Sequence, residues 1–389
     1  MRLLIISDFT EQFPYRLLRG IMAWARRSDE PWMVCKMPPS YKREIGIKGV
    51  VRWAKGWRAN VVIGLFDPGD DVSLFRKNGI VAIAQDYISK FDDIPNITAE
   101  YEQAGRIAAQ QLTGRGYRNF GFFGYDDVCW SDGRLKGFRS TLEGDFGVSE
   151  VHVFNDRQLS SMWSYDIAEL RKWLLSLPKP IGLFACDDNQ AQILLETCQA
   201  SGIVVPQDVA IIGVDNDEIT CNLTVPALSS IDMDIEKAGY EVAQMADRMV
   251  KDPSYAGEDI VIRTIAAVSR GSTGIMATKD PVVAEAMRYI YQNRARKLQV
   301  ADVIKQVPVS RRLLEQRFKE AVGASIYTVI SNLRMDYFAQ QLVSSSDTVS
   351  EIAARMDEPD TKSISRRFQA LKGCTPTEYR KRELRKLGV

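Results

Sequence analysis

Short apolar runs, each the length of a buried strand, recur along the first two thirds of the chain. The runs are Leu3–Ile6, Val61–Leu65, Ile80–Ile83, Phe120–Phe123, Val151–Phe154, Ile181–Ala185 and Val209–Val214. Uninterrupted apolar runs are typical of strands that are buried on both faces of a parallel sheet. The pattern therefore predicts parallel β-structure through about residue 265.

Amphipathic stretches with a helical period separate these runs. They include the stripe Leu17, Leu18, Ile21, Met22 and Ala25, and the segments Tyr101–Leu112, Leu135–Leu142, Ile167–Leu175, Ile193–Ala200 and Ile235–Met249. Alternation of strands and helices predicts parallel sheets covered by helices on both faces. The number of strands favours two doubly wound sheets, and hence two lobes, over one.

Polar residues follow several of the apolar runs directly. Asp8, Asp187 and Asp215 each come within two residues of the end of a predicted strand. Ligands of open parallel sheets bind beyond the carboxyl ends of the strands, so these side chains are candidate ligand contacts. A purely structural interpretation stays open for Asp8 and Asp187, because either carboxylate could cap the following helix.

A change of pattern near residue 270 indicates a domain boundary. The stretch Ser269–Gly274 is rich in glycine and serine, and Asp280-Pro281 supplies a helix N-cap followed by a proline at the first helical position. We expect a first domain over residues 1–270, a linker over 271–281 and an all-helical domain over 282–389.

The helical domain contains an internal repeat with an offset of 50 residues. Arg317-Phe318, followed by Gly323 and Ser325, is repeated as Arg367-Phe368, followed by Gly373 and Thr375. In each copy two helices are separated by a tight turn, and the long segment Ile326–Val343 connects the copies. The predicted helices are Val300–Val307 and a helix from Ser310 to Val322 in the first copy, and Val349–Met356 and Thr361–Leu371 in the second. This arrangement predicts two helix-turn-helix units.

The charge distribution supports DNA binding by these units. The whole chain has a net charge of +1, but residues 281–389 carry 20 Lys and Arg against 12 Asp and Glu. A basic domain joined to an acidic body is typical of nucleic-acid binding. The candidate DNA contacts on the second helix of each unit are Ser310, Arg311, Arg312, Arg317, Thr361, Lys362, Ser365, Arg366 and Arg367. An ordinary helical bundle with charged faces is the alternative.

The segment from about Asp280 to Arg382 resembles the AraC/XylS-type DNA-binding domain. The family ends with Ser-Arg-x-Phe and Gly-x-Thr-Pro-x-x-Tyr-Arg, and this chain has Ser365–Phe368 and Gly373–Arg380 in those places. It departs from the family at Asp357-Glu358, where Gly-Phe is usual. It also departs at Lys362-Ser363, where a serine-aromatic pair is usual, and at Pro308, which replaces a glycine.

The first domain is similar to the periplasmic-binding-protein-like effector domain of LacI/GalR-type regulators. The matching segments are Tyr101–Leu112 leading into Gly116–Gly121, then Gly133–Phe138 and Val209–Asn216. The resemblance implies a sugar effector, with Arg134 as the ligand-contacting arginine and Asp215 as the late acidic residue. A carboxylate and a guanidinium pair well with sugar hydroxyls, and an aromatic ring such as that of Trp130 stacks on the C–H face. Trp130 is equally well explained as a core residue.

Together the two resemblances imply a sugar-responsive activator of pentose catabolism genes. Xylose is the favoured effector, and arabinose or another small sugar stays open. The implied partners are double-stranded DNA, a second copy of the chain in a homodimer and, for an activator, RNA polymerase. The short apolar start of the chain and the lack of a long apolar stretch lead us to expect a cytoplasmic protein without a membrane segment.

Two other classes of protein compete with a regulator that senses a sugar. Asp187 and Asp188 are paired carboxylates of the kind a sugar-acting enzyme uses. The sequence, however, has no phosphate-binding glycine loop, one histidine and six scattered cysteines, so we expect no cofactor, no metal and no catalysis. The other alternative is a DNA-binding protein whose first domain responds to a partner protein.

Overall fold

The computed structural model describes residues 1–9, 11–28, 30–85, 88, 90–156, 167–274, 278, 280–345, 347–358 and 360–386. Parts of the predicted linker, residues 275–277 and 279, lie outside the described residues, as do residue 359 and residues 387–389. The strands are β1 Arg2–Ile6, β2 Met33–Met37, β3 Val61–Leu65, β4 Val81–Gln85, β5 Asn96–Ala99, β6 Asn119–Tyr125, β7 His152–Asp156, β8 Ile181–Ala185, β9 Val209–Val214, β10 Ser229–Met233, β11 Ile260–Ile262 and β12 Thr264–Val268.

The helices of the first part of the chain are α1 Gln12–Ala25, α2 Pro39–Gly56, α3 Ser73–Lys77, α4 Tyr101–Gly114, α5 Cys129–Phe146, α6 Ile167–Ser176, α7 Asp188–Ala200, α8 Glu218–Leu223 and α9 Ile235–Lys251. Those of the second part are α10 Pro281–Gln292, α11 Val300–Ile304, α12 Arg311–Val322, α13 Ile326–Ser344, α14 Val349–Arg355, α15 Thr361–Lys372 and α16 Pro376–Lys386.

The strands form two sheets, one in each lobe. The first lobe has the order β11-β5-β4-β3-β1-β2, and the second has the order β12-β10-β9-β8-β6-β7. Neighbouring strands run parallel, except for the antiparallel pair of β10 and β12. The predicted two-lobed α/β fold followed by a helical domain is therefore confirmed.

Two of the strands that the sequence pattern missed, β2 and β5, have no apolar run. In β2 the residue Met33 is exposed and only Met37 is buried, so the strand shows no apolar run. The strand β5 has the sequence Asn-Ile-Thr-Ala, and Asn96 and Thr98 are buried although they are polar. Both strands form because neighbouring strands supply their hydrogen-bond partners, which a single segment does not reveal.

The chain passes between the lobes at three neighbouring places, all within the described residues. These places lie between β5 and α4, between β10 and α9, and between β11 and β12. Backbone hydrogen bonds join them: Glu100 N–H donates to Ile262 O at 3.0 Å, and Asp234 N–H donates to Arg263 O at 2.9 Å. The three segments together form a hinge beside the cleft between the lobes.

Helices α1 and α9 pack closely in the first lobe, and α4 and α5 pack closely in the second. Glycine makes the second contact possible, because a Cβ atom at Gly137 would lie 2.0 Å from Glu102 O, and one at Gly105 would lie 2.1 Å from Arg134 O. A side chain at either position would push the helices apart. This contact therefore fixes the position of the α5 backbone at Arg134.

Candidate functional site

A cavity of about 110 Å³ lies between the lobes, at the carboxyl ends of the strands. The lining includes the five predicted ligand contacts, Asp8, Trp130, Arg134, Asp187 and Asp215. Other polar side chains that line the cavity are Ser7, Glu11, Gln12, Arg16, Gln85, Tyr101, Asp188, Asn189 and Asp217. The cleft that the sequence predicted at the strand ends is thus present.

Arg134 lies in the first half of α5 and is buried, with 5% of its surface exposed. Its Nη1 donates to the backbone oxygen of Cys186, and its Nη2 lies 3.3 Å from Asp215 Oδ1. The guanidinium carbon lies 5.2 Å from the ring centroid of Trp130 and 5.7 Å from that of Tyr101. These contacts hold the guanidinium in one orientation beside the cavity.

Asp187 serves a structural purpose and also faces the cavity. It is the N-cap of α7, because its Oδ1 accepts a hydrogen bond of 2.7 Å from Gln190 N–H. Burial raises its pKa to about 6, and the nearby Asp215 contributes to the same shift. The capping interpretation of Asp187 is therefore correct, and the ligand interpretation is compatible with it.

Asp188 is buried at the floor of the cavity. Its carboxylate accepts hydrogen bonds from Ser230 Oγ at 2.6 Å and from Asp217 N–H at 2.7 Å. Burial raises its pKa well above the usual value, and Asp215 raises it further. Asp188 therefore anchors the end of β9 from below.

Glu11, at the start of α1, is a lining residue that the sequence analysis did not select. Burial raises its pKa to about 8, with further contributions from Asp187, Asp215 and Asp8. Glu11 is also the N-cap residue of α1, so Asp8 does not occupy that position. The apolar pattern gave no signal for Glu11, because it follows no strand directly and becomes a lining residue only when the lobes face each other.

Arg16, also on α1, links the first lobe to the second. Its Nε and Nη2 donate to the two carboxylate oxygens of Glu236 at 2.8 and 2.7 Å, and its Nη1 donates to Asp215 O at 2.5 Å. Neighbouring carboxylates raise the pKa of Arg16, although burial acts in the opposite direction. Arg16 thereby joins α1 to the turn after β9 and to the start of α9.

The cavity carries more acidic than basic side chains. Its lining residues include six acidic side chains, Asp8, Glu11, Asp187, Asp188, Asp215 and Asp217, against the two guanidinium groups of Arg16 and Arg134. The raised pKa values of Glu11 and Asp188 favour their uncharged forms, and the other four acidic side chains still outnumber the two arginines. Among the residues that the structure describes, no group of His, Cys, Asp and Glu has the arrangement of a metal site. A neutral ligand with several hydroxyl groups suits this lining, because carboxylates accept hydrogen bonds from hydroxyls.

The helical domain contains two equivalent helix-turn-helix units. The first unit is α11 with α12, and the second is α14 with α15. Leu314 and Phe318 in the first unit and Ile364 and Phe368 in the second are fully buried at equivalent positions. Gly323 and Gly373 end α12 and α15 with the same left-handed backbone, at φ of 73°. The predicted duplication is present.

The nine candidate DNA contacts fall into two groups. The first group lies at the starts of α12 and α15 or on their exposed or half-buried faces, and comprises Ser310, Arg311, Arg312, Thr361, Lys362, Ser365 and Arg366. Ser310 is the N-cap of α12, as expected, and accepts a hydrogen bond from Leu313 N–H. Arg317 and Arg367 form the second group, because they are half-buried and pair with acidic residues outside their own helices. In the first group, the exposed Arg311 pairs with Glu315 of its own helix at 2.9 Å.

Arg317 and Arg367 occupy equivalent positions and both form ion pairs. Arg317 Nε and Nη2 lie 2.5 and 2.6 Å from the carboxylate of Asp280, which is also the N-cap of α10. Arg367 Nη2 lies 2.6 Å from Glu358 Oε2. The repeated arginines therefore tie the second helix of each unit to another segment of the domain.

The unusual second turn at Asp357-Glu358 has a structural explanation. Asp357 has a φ of 53°, a left-handed conformation in which glycine is common and aspartate is tolerated. Glu358 is buried, and its carboxylate lies between Arg367 and Arg334, whose Nη2 is 3.5 Å away. A buried carboxylate paired with two arginines replaces an aromatic side chain at this turn.

The second lobe and the helical domain are in contact. Helix α8 lies against α13, and Arg288 of α10 lies 3.7 Å from Asp208. The turn Gly271–Thr273, within the predicted linker, packs on the second lobe, because Ser229 N–H donates to Ser272 Oγ at 2.8 Å. The exact boundaries of the domains stay a prediction. Within the described residues, no helix has the length and apolarity needed to cross a membrane.

Comparison with known proteins defines the class. Residues 109–273 match the periplasmic binding protein-like domain family, and residues 303–382 match the helix-turn-helix domain family. The chain is thus a helix-turn-helix transcription regulator with a periplasmic binding protein-like sensor, and both resemblances drawn from the sequence are confirmed.

Particular relatives are similar over most of this chain. The chain is 24% identical to the xylose operon regulatory protein of Escherichia coli K12 over 97% of its own length and 96% of the relative's. It is 27% identical to that of Haemophilus influenzae Rd over 82% and 84%. The solved structure of the xylose-binding transcription activator xylR matches with a TM-score of 0.74 at 24% identity, covering 98% of this chain and 97% of the other. These relatives are transcription regulators and not enzymes.

Proposed function

We propose that the chain is a sugar-responsive transcription regulator whose effector is a pentose, with D-xylose as the first candidate. The observation that carries the proposal is the small cavity at the hinge, in which Arg134 and Asp215 lie 3.3 Å apart among further carboxylates. The xylose operon regulatory proteins that are similar over most of the chain support the choice of sugar. L-Arabinose is the second candidate, because the lining suits any small neutral polyol.

In this proposal each of the five predicted ligand contacts has a definite task. Arg134 and Asp215 bind neighbouring hydroxyl groups, and Trp130 covers a C–H face of the sugar. Asp187 and Asp8 accept further hydroxyl hydrogen bonds, Asp187 while it also caps α7. Anionic sugars are disfavoured, because the carboxylates outnumber the guanidinium groups in the cavity.

The DNA contacts follow from the exposed faces of the two second helices. We assign base and phosphate contacts to Ser310, Arg311, Arg312, Thr361, Lys362, Ser365 and Arg366. Arg317 and Arg367 instead position these helices through Asp280 and Glu358. This division revises the sequence-based list, in which all nine residues contacted DNA.

The mechanism requires that the sugar bind the open and the closed arrangement of the lobes with different affinities. Sugar in the cleft favours the closed arrangement of the lobes, and closure moves the helical domain that is attached to the second lobe. We further propose that the protein is cytoplasmic, acts as a homodimer and activates transcription through contact with RNA polymerase. The similarity to an operon regulatory protein and to a transcription activator supports activation and a location beside the DNA.

Calorimetric titration of the full chain with D-xylose, L-arabinose, D-ribose and xylonate tests the proposal. We expect saturable heat with one or more neutral pentoses, tightest with D-xylose, and none with the anion xylonate. Conversion of a pentose to product in the same samples would instead indicate an enzyme. Absence of saturable heat with every neutral sugar would contradict the proposal and favour a sensor that responds to a partner protein.

A further inference from the structure

The turn that follows β9 is held in an unusual backbone conformation. Asp215 and Asn216 are consecutive residues with φ of 98° and 50°, although neither is glycine. Residues other than glycine stay in this region only when their surroundings fix them. Here Arg16 holds Asp215 O at 2.5 Å, Ser230 Oγ accepts from Asn216 N–H at 3.0 Å, and Asp188 accepts from the next backbone N–H.

The two side chains of this turn contact different parts of the protein. Asp215 lines the cavity and lies 3.3 Å from Arg134 Nη2. Asn216 Oδ1 accepts a hydrogen bond of 2.7 Å from Arg270 Nη2. Arg270 Nη1 in turn donates to Leu228 O at 2.9 Å. Asp215, which lines the cleft, is therefore adjacent in the chain to Asn216, which is hydrogen-bonded to Arg270.

Arg270 and Asn216 lie at the boundary between the sensor and the helical domain. Both line a second cavity of about 670 Å³, whose other wall includes Tyr291 and Arg294 of the helical domain. Arg270 also directly precedes the turn Gly271–Thr273, from which the chain continues to α10. A shift of the Asn216 side chain would thus displace Arg270 and the segment that leads to the DNA-binding domain.

We propose that Asn216 and Arg270 are positioning residues that transmit occupation of the cleft to the DNA-binding domain. The proposal rests on the proposed function, since it requires a ligand that binds Asp215. When the ligand binds that carboxylate, the neighbouring turn changes to another backbone conformation. A strained backbone has few alternative φ and ψ angles close to its own, so it does not absorb the displacement by small changes. The Asn216–Arg270 hydrogen bond then breaks or realigns, and the linker moves with Arg270.

The substitution R270K tests this relay without altering the cleft. Lysine keeps the positive charge but cannot bond to both Asn216 Oδ1 and Leu228 O with a planar fork. The control R115K makes the same chemical change at another arginine that lines the second cavity. D-Xylose is the ligand, and the DNA is the duplex that the full-length protein selects from a random pool.

We expect R270K to bind D-xylose within about twofold of the wild type, while its sugar-dependent change in DNA affinity shrinks by about three- to tenfold. R115K should match the wild type in both respects. Unchanged coupling in R270K overturns the relay. A loss of xylose binding as large as the loss of coupling overturns it too, because the effect would then lie in the cleft. If the wild type binds another neutral pentose and not D-xylose, that pentose takes the place of D-xylose in the same comparison. A wild type that binds none of the neutral pentoses refutes the proposed function itself.

A second measurement does not depend on DNA binding. Hydrogen–deuterium exchange of the α10 amides should change on addition of D-xylose in the wild type and in R115K. The change should be absent in R270K and in N216G, which tolerates the left-handed backbone but lacks the acceptor. The same change in all four proteins contradicts the proposal.

Discussion

Replacing Arg134 with lysine tests the buried arginine to which we assign a sugar hydroxyl. The guanidinium spans Cys186 O and Asp215 Oδ1, so its remaining N–H groups are directed by two fixed neighbours. A lysine ammonium is a single point and cannot hold both partners while it also binds a sugar. Loss of one charge-assisted hydrogen bond weakens binding by about 1.5–3 kcal/mol, which corresponds to a roughly 10- to 150-fold higher Kd.

The assay is calorimetric titration of R134K with D-xylose, beside R139K as the control. Arg139 lies on the same helix but is exposed, so the same chemical change there should leave the affinity within about twofold of the wild type. Thermal unfolding without ligand establishes that both variants fold. Binding of D-xylose by R134K at wild-type strength would refute the assignment of Arg134 as a hydroxyl-binding residue.

Three further predictions concern stability and DNA binding. G137A should lower the free energy of unfolding by about 1–3 kcal/mol, because the added methyl group overpacks the contact between α4 and α5. Gly144 lies on the same helix with open space around it, so G144A should leave the free energy of unfolding unchanged or raise it. Chemical denaturation measures both variants. Because the folded-state pKa of Glu11 is about 8 against an ordinary 4.5, wild-type stability falls as the pH rises between those values. The variant E11Q lacks this loss. Its free energy of unfolding, measured by thermal unfolding, should equal that of the wild type near pH 4.5 and exceed it by more than about 1.4 kcal/mol near pH 8. Equal stability of the two proteins near pH 8 would contradict the raised pKa. R312A should lower the slope of log Kd against log salt concentration for DNA binding by about one, without destabilising the fold. R317A should instead lower the melting temperature, because it removes the ion pair with Asp280. The reverse pattern would contradict the division of roles.

Much of the fold was predictable because its central strands are buried on both faces. Runs such as Ile181–Ala185 and Val209–Val214 are apolar at every position, so their number and spacing indicate two parallel sheets. The ligand candidates after them followed from the general position of binding sites in such sheets. Asp187 and Asp215 therefore emerged from pattern alone, whereas the choice of Arg134 needed the family resemblance.

Other parts of the site depend on contacts between distant segments. Glu11 directly precedes α1 and Arg16 lies on it, in a stretch that looks like any amphipathic helix. Both residues line the cleft only because the second lobe faces them. Arg317 was predicted as a DNA contact because it was assigned to the basic solvent face of its helix, but it pairs with Asp280, 37 residues earlier. A repeat in sequence identifies equivalent places and does not distinguish a binding role from a structural one.

The account depends on one coupling, between sugar in the cleft and DNA on the helix-turn-helix units. The most direct measurement is the Kd of the full chain for its selected duplex, with and without saturating D-xylose, at several salt concentrations. We predict that binding weakens steeply with salt, as expected for phosphate contacts, and that the sugar changes the Kd by about 5- to 150-fold at fixed salt. A Kd that is the same with and without every pentose that binds the protein would contradict the account.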